Sequence, residues 1–148
     1  MTTIAWDGKT LAADSRITDE SIIGSDNVDK LYKIHDIPYF GDILLYCGLS
    51  GVAADDQKYV AFIHEDKFYD NELEFSLGGI VIGIKYAYHI EQDNPYLVRF
   101  PRNEKMADGS GAPYARSAMH FRLTAIQAIN HAKKFDSATG GKVKSVRL

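Results

Sequence analysis

The sequence predicts an α+β domain, and three observations predict it. Stretches rich in β-branched and aromatic residues occupy both halves of the chain. Three segments instead carry apolar residues at helical spacing or a helix-start signature. The order runs strands, helix, strands, two helices, strand. Helices that are grouped rather than alternating with strands argue against a repeated βαβ unit. The 148 residues suit one domain over 1–148. With 45% hydrophobic and 11% aromatic residues they can build a core.

The elements follow in chain order. Thr3-Ile4-Ala5-Trp6 and Thr10-Leu11-Ala12-Ala13 flank Asp7-Gly8, which reads as a β-hairpin because both turn residues tolerate positive φ. Strands are expected around Ile22-Ile23 and from Val28 to Ile34. A loop with Pro38 and Gly41 comes next, then an apolar strand from Ile43 to Cys47. From Val52 to Glu65, the residues Val52, Tyr59, Val60 and Ile63 form a helical stripe, with Asp55, Asp56 and Lys58 on other faces. Ile80-Val81-Ile82, Tyr86 to Ile90 and Tyr96-Leu97-Val98 read as three strands. One helix starts near Pro113, a favoured first-turn residue. Another opens at Thr124, where Gln127 completes a capping box, and a last strand covers Lys142 to Val146.

Charge narrows the function. The 17 basic and 20 acidic residues leave a net charge of -3, with no dense Lys/Arg run. Such a surface attracts neither phosphate nor anionic lipid, so neither a nucleic acid nor a membrane is expected as partner. The opening residues lack a basic start and a long apolar run, which predicts a cytoplasmic protein. The single cysteine, Cys47, lies in an apolar strand and reads as a core residue. His35, His64, His89, His120 and His131 show no metal-ligand spacing, so no metal is expected.

The chemistry begins at Thr2. Removal of Met1 would place a free α-amine and a hydroxyl on one residue. An α-amine titrates at about 7.7–8.0 and can take a proton near neutral pH. A hydroxyl needs such a base to become a nucleophile. Many proteins begin Met-Thr, so the weight rests on the other motifs.

Four stretches, in order, carry a resemblance. They are Thr2-Thr3-Ile4 with its hairpin to Asp14-Ser15-Arg16, then Val28-Asp29-Lys30-Leu31, then Met106-Ala107-Asp108-Gly109-Ser110-Gly111-Ala112-Pro113, then Asp136-Ser137-Ala138-Thr139-Gly140-Gly141. Together they resemble the proteasome β subunits and HslV-type N-terminal-threonine (Ntn) hydrolases. The last stretch is similar to the family's Asp-x-x-Ser-Gly-Gly turn, with Thr139 in place of serine.

The resemblance implies a four-layer α/β/β/α sandwich with two antiparallel sheets. It implies a threonine peptidase with Thr2 as nucleophile and Lys30 as the cation beside it. Asp14 would pair with Lys30, while Ser110, Asp136 and Thr139 would gather around the Thr2 amine. The oxyanion donor would be a backbone N–H at the start of the helix after the Ile43–Cys47 strand. There Ser50, in Gly48-Leu49-Ser50-Gly51, takes the place of a family glycine. Ile17, Val28, Tyr32 and Val52 would line the substrate pocket, suiting apolar or uncharged side chains. The chemistry needs no cofactor. The implied partners are a peptide or unfolded protein as substrate, further copies in a homo-oligomeric ring, and an ATPase unfoldase. A small-molecule amidase and a non-catalytic structural subunit with the same fold stay open.

Hairpin geometry adds one expectation. A two-residue Asp7-Gly8 turn would pair Thr2 with Ala13 and put Asp14 on the face opposite Thr2. The mechanism needs Asp14 beside Thr2, so a longer turn or a bulge is predicted.

Overall fold

The computed structural model describes residues 2–65, 76–91 and 97–148. Among the described residues, three sheets and three helices make a mixed α/β fold. The hairpin strands are β1 (Thr3–Trp6) and β2 (Thr10–Ala13), as the turn signal between them predicts. A short pair follows, β3 (Ile17–Asp19) and β4 (Ile22–Ser25). Next come β5 (Leu31–Tyr39), β6 (Asp42–Gly51) and helix α1 (Ala53–His64). Strands β7 (Leu77–Gly83), β8 (Tyr86–Ile90), β9 (Leu97–Pro101) and β10 (Met106–Gly109) precede helices α2 (Ala112–His120) and α3 (Ala125–Ala132). Strand β11 (Lys144–Arg147) ends the order.

The first sheet runs β10-β1-β2-β11, the large sheet runs β5-β6-β7-β8-β9, and every pairing is antiparallel. The two-stranded β3-β4 sheet is an addition to the two sheets expected. Pro38 lies inside β5 rather than in a loop, and β6 runs on past Cys47 to Gly51. Tyr96, expected to open a strand, falls outside the described residues, and the strand there begins at Leu97. Strand β10 was hidden from periodicity because Met106-Ala107-Asp108-Gly109 carries only one large apolar residue.

Three cores organise these elements. Ile4, Trp6, Leu11 and Ala13 pack against Ile80, Ile82 and Ala87, joining the inner faces of the first and large sheets. Ala5 and Ala12, on the opposite face of the hairpin, meet Ala115, Met119, Ala128 and Ile129 of α2 and α3. Tyr59, Phe62 and Ile63 of α1 pack with Leu49, Val81, Tyr88 and Ile90 of the large sheet. Strand alternation thus sends even residues of β1 to one core and odd residues to the other.

The hairpin corrects the sequence reading. The chain turns around Gly8-Lys9, with Gly8 at φ +96° and the Asp7 N–H donating to Thr10 O at 3.3 Å. Ile4 therefore pairs with Ala13, and the Asp14 N–H donates to Thr3 O. This register lies two residues from the one a strict Asp7-Gly8 turn gives, so side-chain alternation is unchanged and no bulge swaps the faces. Strand β2 instead ends at Ala13, which releases Asp14 from the pleat.

Candidate active site

The sequence-predicted residues converge where β1, the Asp14 turn, the segment entering β5, and β10 meet. Thr2 and Lys30 are both buried, and both line one cleft of about 1070 Å³. Lys30 Nζ donates to Asp14 Oδ1 at 2.8 Å and to the Arg16 carbonyl at 2.5 Å. An ammonium carries three N–H donors, so one is left for the cleft. Burial lowers the Lys30 pKa, and the neighbouring carboxylates of Asp14 and Asp56 oppose that shift.

Asp14 is fully buried and fully partnered. Its Oδ1 also accepts the Thr3 N–H at 3.0 Å, and its Oδ2 accepts the N–H groups of Gly140 at 2.9 Å and Arg16 at 3.3 Å. The carboxylate thereby ties the first strand, the lysine and the Gly140-Gly141 turn into one unit. Arg16 is spent elsewhere, on Asp26 and the Ser137 carbonyl.

A second network approaches Thr2 from the other side. The Ser110 N–H donates to Thr2 O at 2.9 Å, and Ser110 Oγ donates to Asp136 Oδ2 at 2.6 Å. Thr139 Oγ1 donates to the same Asp136 oxygen at 2.5 Å and lies 2.5 Å from Thr3 Oγ1. Burial alone would raise the Asp136 pKa, but the hydrogen bonds from Ser110, Thr139 and the Ala138 N–H outweigh it and hold the carboxyl below its ordinary value. Gly109, at φ +93°, presses so close to Thr2 that a Cβ there would lie 1.7 Å from Thr2 O.

The oxyanion expectation changes in detail. Ser50 sits inside β6, two residues before the helix cap at Val52. It pairs with Gly78 on β7, while the Leu49 N–H donates to Lys30 O on the β5 side. Amide direction alternates along a strand, so the Ser50 N–H faces β7. The Gly51 N–H faces the side of Lys30, beyond the last β5–β6 partners at Leu31 and Gly48. The Ser50 hydroxyl is engaged with Asp108 Oδ2.

Ile17, Val28 and Val52 line the cleft. Tyr32 is not among the lining residues: it packs against the α1 core, and its hydroxyl shares its one proton between the Asp29 carbonyl at 3.0 Å and Asp56 Oδ2 at 2.9 Å.

The sequence reading missed several cleft residues, Asp56, Asp108 and His89 among them. Asp56, placed on a polar helix face, is buried and lines the cleft. Asp108 and His89 also line it, with His89 Nε2 3.0 Å from Asp108 Oδ1. The hydrogen bond to Asp108 raises the His89 pKa. Burial would raise that of Asp108, but His89 and Ser50 outweigh it and lower it. An aspartate two residues before Ser110, with the intervening Gly109 fixing the backbone, was the available signal for this cluster. Cys47 is fully buried, and burial pushes its thiol pKa up, as suits a core residue.

The same fold occurs in solved structures. HslV from Trypanosoma brucei superposes with a TM-score of 0.68 at 17% identity, covering 99% of this chain and 98% of that one. The chain has the HslV fold. BPH of Thiobacillus denitrificans superposes with a TM-score of 0.74 at 17% identity, covering 99% of this chain and 96% of that one. BPH in complex with Epoxomicin gives 0.73 at 18% identity, covering 99% and 97%. No family model matches this sequence, and no curated protein matches it significantly. No helix among the described residues is long and apolar enough to cross a membrane.

Proposed function

We propose that this chain is a threonine-type peptidase that hydrolyses peptide bonds through Thr2 once Met1 has been removed. One observation carries the reading. A buried lysine, Lys30, held by a buried carboxylate, opens into the same cleft as Thr2 with one N–H to spare. A surface lysine would have no reason to bear that desolvation.

In this mechanism the freed α-amine takes the Thr2 hydroxyl proton while Oγ attacks the substrate carbonyl. The Lys30 ammonium steadies the developing alkoxide, and Asp14 fixes its position. Ser110, Asp136 and Thr139 orient the amine, which then delivers the proton to the leaving nitrogen. The Gly51 N–H, on the Lys30 side of β6, takes the oxyanion role that the sequence suggested for Ser50. A donor in such a place contributes about 3 kcal/mol to the transition state. Water then hydrolyses the acyl ester and regenerates Thr2. None of these steps draws on a metal or an organic cofactor.

The three cores support a four-layer α/β/β/α arrangement of the Ntn type, with β3-β4 as an appendage. The wider reading follows the resemblance to HslV: a cytoplasmic homo-oligomeric ring that degrades peptides or unfolded proteins, fed by an ATPase unfoldase. Intact-mass measurement establishes whether Met1 is removed. Fluorogenic peptide turnover by the processed protein, abolished in Thr2→Ala, is the expected result. A processed, assembled protein that cleaves no peptide overturns the proposal, and turnover of small amides alone would make it an amidase.

A further inference from the structure

The walls of the cleft suggest apolar substrates, but its charges do not. Ile17, Val28 and Val52 provide apolar surface beside Thr2. Behind them stands Asp56, one helical turn beyond Ala53, with 5% of its surface exposed. Its Oδ2 accepts the Tyr32 hydroxyl. Tyr32 is the one hydrogen-bond partner of this carboxylate among the described residues, which leaves Oδ1 to the cleft that the residue lines. Asp19 and Glu20, on the β3–β4 turn, line the same cleft. Of the two basic groups there, Lys30 is paired with Asp14 and also acts electrostatically on Asp56, and His89 is paired with Asp108, which leaves Asp19 and Glu20 without a cation among the lining residues. Carboxylates thus outnumber the cations that could neutralise them.

From this arrangement we propose that the cleft selects substrates with a lysine or arginine side chain at the residue whose carbonyl Thr2 attacks. The inference rests on the peptidase reading only for the identity of that carbonyl. The charge preference itself belongs to the cleft.

A long basic side chain lays its methylenes on Ile17, Val28 and Val52 and carries its cation inward to Asp56. The unused Oδ1 then gains a charge-assisted hydrogen bond. An apolar side chain entering the same space would strip the remaining water from Asp56 and return nothing. An acidic one would meet Asp56 at its end and Asp19 and Glu20 on its way in. Those two residues also raise the local concentration of cationic substrates, an effect that fades with added salt.

The test uses the processed, assembled protein and peptide coumarin amides that differ only at the residue before the scissile bond. The arginine peptide is expected to exceed the leucine peptide in kcat/KM by at least about tenfold, and the glutamate peptide to be the poorest. Asp56→Asn should cut the arginine-to-leucine ratio by about tenfold, and Glu20→Gln by a smaller, salt-sensitive factor. Equal or better cleavage after leucine overturns the proposal, as does an unchanged ratio in Asp56→Asn. Fluorescence anisotropy on Thr2→Ala protein, with labelled arginine and leucine peptides, separates this from the peptidase reading. Arginine-selective binding that Asp56→Asn abolishes upholds the cation pocket even if no peptide is cleaved. Equal binding of both peptides removes it.

Discussion

Lys30 Nζ lies 2.8 Å from Asp14 Oδ1, and the two side chains are 3% and 0% exposed. Few arrangements demand more of the surrounding fold. Both charges have left water, and each repays the other only because further partners complete the set. For Asp14 these are the backbone amides of Thr3, Gly140 and Arg16, and for Lys30 the Arg16 carbonyl.

Removing the lysine tests that dependence. Lys30→Met keeps the stem but leaves a buried carboxylate without its cation. The penalty for such an uncompensated charge is about 3–5 kcal/mol, and the three amides on Asp14 place this case near 3. Urea denaturation should show it as a lowered midpoint. Lys30→Met combined with Asp14→Asn should recover part of the loss, because the neutral side chain removes the unpaired charge and keeps an oxygen to accept backbone amides, while peptide turnover stays absent. A Lys30→Met variant as stable as the parent would show that the pair is not the anchor we describe.

The His89–Asp108 contact makes stability depend on pH. Hydrogen bonding to Asp108 raises the His89 pKa above its ordinary value of 6.5. A folded-state pKa above the unfolded one means that the folded protein binds the proton more tightly. The contribution is therefore complete below about 6.5 and is lost as pH rises through the folded value. His89 is 35% exposed, so solvent weakens the effect. The difference in urea midpoint between the parent and His89→Gln should narrow from pH 6 to pH 9 (on the order of the His titration range). A constant difference across that range would detach the histidine from Asp108.

Gly109 supplies a prediction about position rather than charge. At φ +93° with Thr2 O at 1.7 Å from any Cβ, alanine cannot be accommodated without moving the first strand. The backbone strain alone costs about 1–3 kcal/mol. Because the displaced atom belongs to Thr2, peptide turnover should fall much further than thermal stability. Turnover and melting temperature measured on Gly109→Ala separate the two effects, and parental turnover would contradict the placement of Thr2 against this turn.

Much of this was legible beforehand, for identifiable reasons. The hairpin strands declared themselves by the turn signal between them, α1 by period, and α3 by its Thr124–Gln127 box, whose reciprocal hydrogen bonds are both formed. Lys30, Asp14, Ser110, Asp136 and Thr139 were reached through motifs and lie in two connected networks. What the sequence concealed depends on register and burial. No periodic pattern says that Gly8-Lys9 centres the turn, or that Ser50 directs its amide at β7. Asp56 misled because a carboxylate on a helix is ordinarily solvated, and only the fold reveals that this one faces the cleft. Tyr32 misled in the opposite sense, since its hydroxyl is drawn to that same carboxylate and its ring to the α1 core.

Asp7 offers a control on the whole scheme, because it supports the site without touching it. Its Oδ1 accepts the N–H groups of Lys9 at 2.9 Å and Thr10 at 2.8 Å, closing the first hairpin. Its Oδ2 accepts the Ala125 N–H at 2.9 Å, at the start of α3. One side chain thus fastens the turn of β1 and β2 to the helix that packs on them. Asp7→Ala orphans three amides, two of them within reach of solvent, and should cost about 1–3 kcal/mol. Asp7→Asn keeps one acceptor and should cost less, since its oxygen can still close the turn while its NH₂ cannot accept from Ala125. Both variants should lower the melting temperature, whereas kcat per folded active site, titrated with an irreversible Thr2-directed reagent, should stay at the parental value. A fall in kcat for the fully folded Asp7→Ala protein would mean that the hairpin turn is coupled to the nucleophile, and that the division drawn here between scaffold and site is wrong.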